Sequence, residues 1–268
     1  MNNLKLFFLI ICGCMVAGCH HTAQPTEKNG TDQELETLRK NLARHPKDAK
    51  CCIELSEYFM ERGLVDSAMN YALKAVRLDS LNADYYVTLS DLYLLSNQTD
   101  LCEDMLLKAL QVNDKCEAAY LKLAELHYLF KRYDESLEMI SKALELNDYL
   151  PKAYFIRGWV MREQGDTNAA IRAYLKAVDQ NSSYYQAYEE LAHLYHLRHH
   201  PLAVEYYKNV LSIQPDHLQT LYNLAMFYQE TGDYDQALVQ YRTILRIDPV
   251  NKFAMNNMGW VYLAQEKI

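Results

Sequence analysis

The chain has 268 residues, half of them apolar, and a formal net charge of −8. That balance excludes a protein built to grip a nucleic-acid backbone, which needs a basic face, and it leaves enough apolar material for a continuous core. Glycine and proline are scarce, with 8 and 6 copies, as packed helices require. In chain order, residues 1–18, MNNLKLFFLIICGCMVAG, form a targeting segment. Lys5 supplies its positive start, and the apolar run Leu6 to Val16 is too short for a transmembrane helix. Residues 20–31, HHTAQPTEKNGT, are polar, hold Pro25 and Gly30 and show no periodicity. They predict a flexible tether that reaches roughly 40 Å at most, in which His20-His21 are ordinary tether chemistry. In 32–48, Leu35, Leu38 and Leu42 share a helical face, so this stretch is expected to be a helix covering the N-terminal end of the core.

Residues 49–251 divide into six units: 49–82, 83–116, 117–150, 151–184, 185–217 and 218–251. In the last, Leu221, Leu224, Ala225 and Tyr228 make one helical face, Thr231-Gly232-Asp233 a turn, and Ala237, Leu238, Tyr241, Ile244, Leu245 and Ile247 a second helix that stops at Asp248-Pro249. Positions matching Ala237 hold Ala68, Cys102, Ser136, Ala170 and Ala203, and those matching Ala225 hold Ser56, Ser90, Ala124, Gly158 and Ala192. All are small, which is what two helices in close approach need. The fifth unit is one residue short, with the deletion at the turn His199-His200-Pro201, and Asn97 and Lys131 stand where other turns have glycine. Residues 252–268 match a first helix alone, with Phe253, Met255, Met258, Gly259 and Tyr262 in register.

This pattern resembles the tetratricopeptide repeat (TPR), a helix–turn–helix unit with a 34-residue period. The resemblance covers about residues 32–268. It implies an all-α solenoid of stacked helix pairs winding into a right-handed superhelix, and a role in holding proteins or extended peptides. The sequence Val16-Ala17-Gly18-Cys19 resembles the bacterial lipobox. That implies lipidation at Cys19, a membrane attachment through that lipid, and a place in the bacterial cell envelope. His20, where inner-membrane lipoproteins of some bacteria carry aspartate, favours the outer membrane, facing the periplasm. A lipobox followed by about six repeats is similar to lipoproteins that assist pilus assembly and to others that recruit cell-wall hydrolases.

Of seven cysteines, Cys12 and Cys14 leave with the signal. The four others beyond Cys19, namely Cys51, Cys52, Cys102 and Cys116, have no zinc-site spacing and are expected to be buried thiols. There is no Gly-rich phosphate loop, GxSxG, HExxH or catalytic-cysteine context, so no catalytic residue, metal or cofactor is assigned and an enzyme is not expected.

Function is expected on the concave face of the first helices. In the sixth unit the helical spacing gives Tyr222, Met226 and Gln229, positions that the resemblance implies are common ligand sites. The equivalents are Ile53, Glu57 and Met60; Val87, Asp91 and Leu94; Leu121, Glu125 and Tyr128; Phe155, Trp159 and Arg162; Glu189, His193 and His196; and Asn256, Trp260 and Leu263. Trp159 is expected to stand exposed there, because the adjacent Gly158 fills the close-packing position. Two alternatives stay open. Glu189, His193, His196 and His200 are spaced to share a helical face and could hold a metal or small ligand, although Pro201 should end the helix before His200. The poorly charged C-terminal half-repeat could instead make the chain a structural subunit that self-associates through its ends.

Overall fold

The structure, a computed structural model, describes residues 28–266, with side chains from Gln33 onward. The expected signal segment, Cys19 and tether residues 20–27 lie outside the described residues. Among the described residues there are fourteen α-helices and no strand. Helix α1 spans Lys28–Arg44. Six pairs follow: α2 and α3 (Ala49–Glu61, Val65–Leu78), α4 and α5 (Ala83–Leu95, Thr99–Val112), α6 and α7 (Glu117–Leu129, Tyr133–Leu146), α8 and α9 (Pro151–Glu163, Thr167–Gln180), α10 and α11 (Tyr185–His196, Leu202–Ile213), and α12 and α13 (Leu218–Glu230, Tyr234–Ile247). Helix α14, Lys252–Gln265, closes the described chain. Consecutive helices pack in pairs. The described residues fall into two compact units, one ending at Ala119 and the other starting at Tyr120, divided within α6.

Helix α1 begins at Lys28, so residues 28–31, expected in the tether, are helical. Once a helix is nucleated downstream, each added residue gains a hydrogen bond at little further cost. In the first unit Leu35, Leu38 and Leu42 pack on a core of Leu55, Tyr58, Phe59, Leu89 and Leu92, and Arg62 reaches back to Glu34 at 2.9 Å.

The pairs are built alike because their sequences repeat. N-terminal caps recur at the start of the first helix: Asp48 Oδ1 accepts from Lys50 N–H at 2.9 Å, Asn82 Oδ1 from Asp84 N–H at 3.0 Å and Asn251 Oδ1 from Ala254 N–H at 3.0 Å. Each pair is joined by a residue in the left-handed region: Gly63, Asn97, Lys131, Gly165, His199 and Gly232, with φ between 47° and 83°. The next amide closes the turn onto the preceding helix, as in Arg132 N–H to His127 C=O at 2.8 Å and Asp233 N–H to Tyr228 C=O at 2.8 Å. Lys131 and His199 adopt this backbone without being glycine, because the rest of the pair fixes the chain path on both sides.

The one-residue deletion is absorbed after the turn rather than in it. In other pairs the small residue of the second helix bonds four residues back, as Ala170 N–H does to Asp166 C=O. In the fifth pair Ala203 N–H bonds three back to His200 C=O, at 3.0 Å. The first turn of α11 is thereby tightened and Ala203 still arrives in register, with no exposure.

The small residues meet as their spacing predicts. Ala68, Ala124, Ala170, Ala192, Ala203, Ala225 and Ala237 have no exposed surface. Two of the three serines at these positions donate across the contact, Ser56 to Ala68 C=O at 2.9 Å and Ser136 to Ala124 C=O at 2.8 Å, while Ser90 donates within its own helix to Val87 C=O at 2.6 Å. A buried hydroxyl without such a partner would be costly. Cys51, Cys52, Cys102 and Cys116 are buried free thiols.

Candidate partner-binding face

In the second compact unit, contacts between first helices of successive pairs define one face. Lys152 on α8 pairs with Glu125 on α6 at 3.0 Å. The Trp159 indole N–H donates to Glu190 Oε1 on α10 at 3.2 Å, and Arg162 pairs with the other oxygen of Glu190. Thr220 Oγ1 on α12 donates to Glu189 at 2.9 Å, and the His217 ring lies 3.2 Å from the same carboxylate. His196 Nε2 meets Glu230 at 3.0 Å. Asn257 Nδ2 on α14 donates to the Tyr222 hydroxyl at 3.0 Å. Residue spacings of 27 to 35 in these contacts reflect the repeat period.

Trp159 is not exposed. Its indole stacks on Tyr128 at 5.4 Å between centroids, lies against Phe155 at 4.6 Å, and keeps 9% of its surface in contact with solvent. Phe155, Tyr128 and Leu121 are buried as well, as are Ile53 and Val87 in the first unit. The expectation that these side chains stand open on a wet face is therefore corrected. An apolar side chain at this position of one first helix lies beside the next first helix, and the rings close over each other instead of facing water. In the first unit Ile53 packs in the same way, in a cluster that Tyr85 covers.

The polar residues are also committed. Burial opposes the charge of Arg162, but the Glu190 carboxylate together with the Tyr174 and Tyr128 hydroxyls outweighs it and holds its pKa above the ordinary value. Burial pushes the Tyr128 hydroxyl up to about 12. Burial likewise raises the Glu189 carboxyl, against the opposing pull of His217 and Thr220.

The residues of the histidine-rich segment do not converge. Glu189 turns to α12, and His196 Nδ1 meets the Tyr207 hydroxyl at 2.9 Å while its other nitrogen meets Glu230. His193 is exposed, and His200 sits in the turn, where its Nδ1 accepts from Leu202 N–H at 3.2 Å. Among the described residues no three His, Cys, Asp or Glu side chains are grouped to hold a metal ion.

A set of second-helix tyrosines completes the wall of this face; the sequence placed Tyr241 in its helix but did not single out Tyr174 or Tyr207. Tyr174, Tyr207 and Tyr241 are almost wholly buried at equivalent positions. Tyr207 reaches His196, and Tyr241 donates to Gln229 Oε1 at 2.9 Å. The third, Tyr174, has a buried hydroxyl with no hydrogen-bond partner among the described residues. Their recurrence in the last three repeats, where the first three carry Ala72, Leu106 and Ile140, is the signal that could have found them.

What stays open lies toward α14. Met226 and Gln229 are half-buried, and Asn256, Trp260 and Leu263 are exposed, Trp260 by 68%. Beside them a shallow cleft of about 310 Å³ is lined by Leu218, Gln219, Tyr222, Ile244, Asn251 and Phe253. Its lining is aromatic, aliphatic and amide, without a charge. In the first unit Met60, Asp91 and Leu94 are half-buried and Glu57 is exposed. Burial and the neighbouring carboxylates Glu54 and Glu61 raise the Glu57 pKa.

Comparison with known proteins agrees with this architecture. Two family models described as tetratricopeptide repeat match residues 155–217 and 198–255. Over 63 residues the chain is 36% identical to the photosystem I assembly protein Ycf3 of Prochlorococcus marinus (strain NATL1A), covering 22% of this chain and 36% of that one. Over 66 residues it is 36% identical to Ycf3 of Cyanophora paradoxa, covering 24% and 38%. The chain thus spans well under half the length of these curated relatives.

Among solved structures, the APC/C hetero-tetramer Cut9–Hcn1 aligns with a TM-score of 0.70 and 16% identity, over 86% of this chain and 46% of that chain. The Pseudomonas aeruginosa pilF structure aligns at 0.65 and 18% identity, over 86% and 99%. YrrB, a TPR protein with an unusual peptide-binding site, aligns at 0.51 and 19%, over 69% and 96%. At these identities the likeness is one of fold. Repeating helix pairs, small residues at each close contact, a left-handed turn in every pair and the matching family models make one case: the chain is a tetratricopeptide-repeat protein.

Proposed function

We propose that this chain is an envelope-anchored scaffold that holds a protein partner, or an extended peptide segment of one, on the face of its first helices. In that role it assists the assembly or recruitment of envelope complexes. TPR proteins serve protein–protein interaction, and nothing in the motifs of this chain supplies catalytic chemistry. The observation that carries the reading is the uncharged cleft between α12 and α14, with Tyr222, Phe253, Asn251 and Gln219 around it. Aromatic surface beside amide groups suits a peptide, whose side chain packs on the rings while its backbone bonds to the amides. The curated relatives named as assembly proteins support an assembly role. Anchoring rests on Val16-Ala17-Gly18-Cys19, and a tethered scaffold meets membrane partners at raised effective concentration.

The test is affinity capture from detergent-solubilised envelope, comparing the wild-type chain with Phe253→Ala/Asn256→Ala. Partners retained by the first and lost by the second support the reading, and an identical set from both refutes it. The anchor is tested separately. Cys19→Ser should move the protein from the membrane fraction to the soluble fraction, and an unchanged lipid-modified mass in that variant would remove the anchor from the account.

A further inference from the structure

We propose that Asn181 is a glycosylation site, whose side-chain amide takes a saccharide from a lipid-linked oligosaccharide diphosphate. The inference rests on the envelope reading above, because acceptors of this kind belong to exported proteins. Asparagine followed two residues later by serine or threonine, with no proline between them, is the acceptor pattern. Three such triplets occur: Asn29-Gly30-Thr31, Asn97-Gln98-Thr99 and Asn181-Ser182-Ser183.

The structure separates the three. An acceptor has to present its amide nitrogen and its hydroxyl to one enzyme pocket. The first triplet lies within α1, and residues two apart on a helix do not face each other. Asn97 is held in a left-handed turn, and Thr99 opens α5 and is half-buried. Asn181, Ser182 and Ser183 lie between α9 and α10, outside any helix, and all three are exposed.

The loop also prepares the amide. Asn181 Oδ1 accepts from Ser183 N–H at 3.0 Å, which folds the two residues toward each other. The Asn181 Nδ2 and the Ser183 hydroxyl have no hydrogen-bond partner among the described residues. A donor on Oδ1 polarises the carboxamide and makes its N–H groups more acidic. In the transfer, Nδ2 attacks the anomeric carbon of the donor and a carbon–nitrogen bond forms. The bond from that carbon to the diphosphate breaks, the diphosphate leaves with the electron pair, and one Nδ2 proton passes to a base of the transferase.

The fold does not require the hydroxyl. The same turn recurs at Asp79, Asn113, Asn147 and Asp248, whose side-chain oxygens accept from the N–H two residues on at 3.0 to 3.3 Å. Leu81, Lys115, Tyr149 and Val250 stand there in place of Ser183. Of these five turns, the one at Asn181 alone joins a side-chain amide to an aliphatic hydroxyl. None of its residues lines the proposed partner cleft, so a bulky saccharide there leaves that cleft free.

Peptide mass spectrometry of the full chain, purified from the envelope of its own cells, tests the proposal. The peptide that holds Asn181 should carry saccharide mass and release sugar ions on fragmentation. Ser183→Ala keeps Asn181 and the backbone bond of the turn, and it should remove the saccharide while leaving the thermal melt unchanged. Ser183→Thr should retain it. An Asn181 peptide at its unmodified mass, or a saccharide that survives Ser183→Ala, overturns the inference. The anchor is read separately at Cys19: a lipidated chain without saccharide overturns this inference and leaves the envelope reading standing.

Discussion

The Tyr174 ring occupies the space that a side chain on Gly158 would need. The ring has no exposed surface, so it has nowhere to retreat. In a helix, replacing glycine by alanine ordinarily gains about 1 kcal/mol. Here the overlap should outweigh that gain, and Gly158→Ala is expected to lower stability by about 1–3 kcal/mol, the usual cost of overpacking. Urea denaturation of the two chains measures it. An equal or more stable variant would mean that Tyr174 swings aside.

Trp159 is a packing residue. Its indole joins Tyr128, Phe155 and Glu190 across three successive first helices. Trp159→Ala should therefore cost about 3–5 kcal/mol, as large buried aromatics do on truncation. Repeats are stabilised by their neighbours, so hydrogen-exchange protection should fall in α6 and α10 as well as α8. A thermal melt like that of the wild type would return Trp159 to the list of partner-contact residues.

The turn at Lys131 holds a lysine at φ 59°. A side chain in that region costs roughly 1–2 kcal/mol, against a loss of roughly 0.5–1 kcal/mol for the extra freedom glycine gives the unfolded chain. Lys131→Gly is expected to raise stability by about 0.5–1 kcal/mol. The same change at Asn97 should gain less, since asparagine tolerates this conformation better. A destabilised Lys131→Gly chain, measured by chemical denaturation, would show that the lysine side chain contributes a contact of its own.

Glu57 sits among carboxylates, and burial with Glu54 and Glu61 raises its pKa in the folded state. A carboxyl raised on folding binds its proton more tightly in the native protein. Its contribution to stability is fully present below the unfolded value and is lost as pH rises through the folded one. Glu57→Gln keeps the neutral form at all pH. The variant should unfold at a higher temperature than wild type at pH 7, and the two melts should converge near pH 3. A difference that persists unchanged at pH 3 would assign the effect to packing.

The repeat phase was legible in the sequence, because helix pairing depends on local periodicity. A small residue such as Ala170 or Gly158 at a fixed interval says where two backbones meet, whichever side chains surround it. The buried thiols followed from the same phase. The exposure of the groove positions was not legible, since it depends on how a neighbouring helix leans on its predecessor. Nothing in the sequence distinguishes Trp159 from Trp260, which hold equivalent positions. Only packing shows that Tyr128 and Glu190 enclose the first, while the second stands in solvent. The histidines of α10 share a sequence spacing, yet the partners of His196, Glu230 and Tyr207, come from other helices, and Glu189 turns to His217 instead. Periodicity fixes which face of a helix is apolar. What covers that face is decided by contacts between residues about thirty positions apart, and those exist only once the helices have stacked.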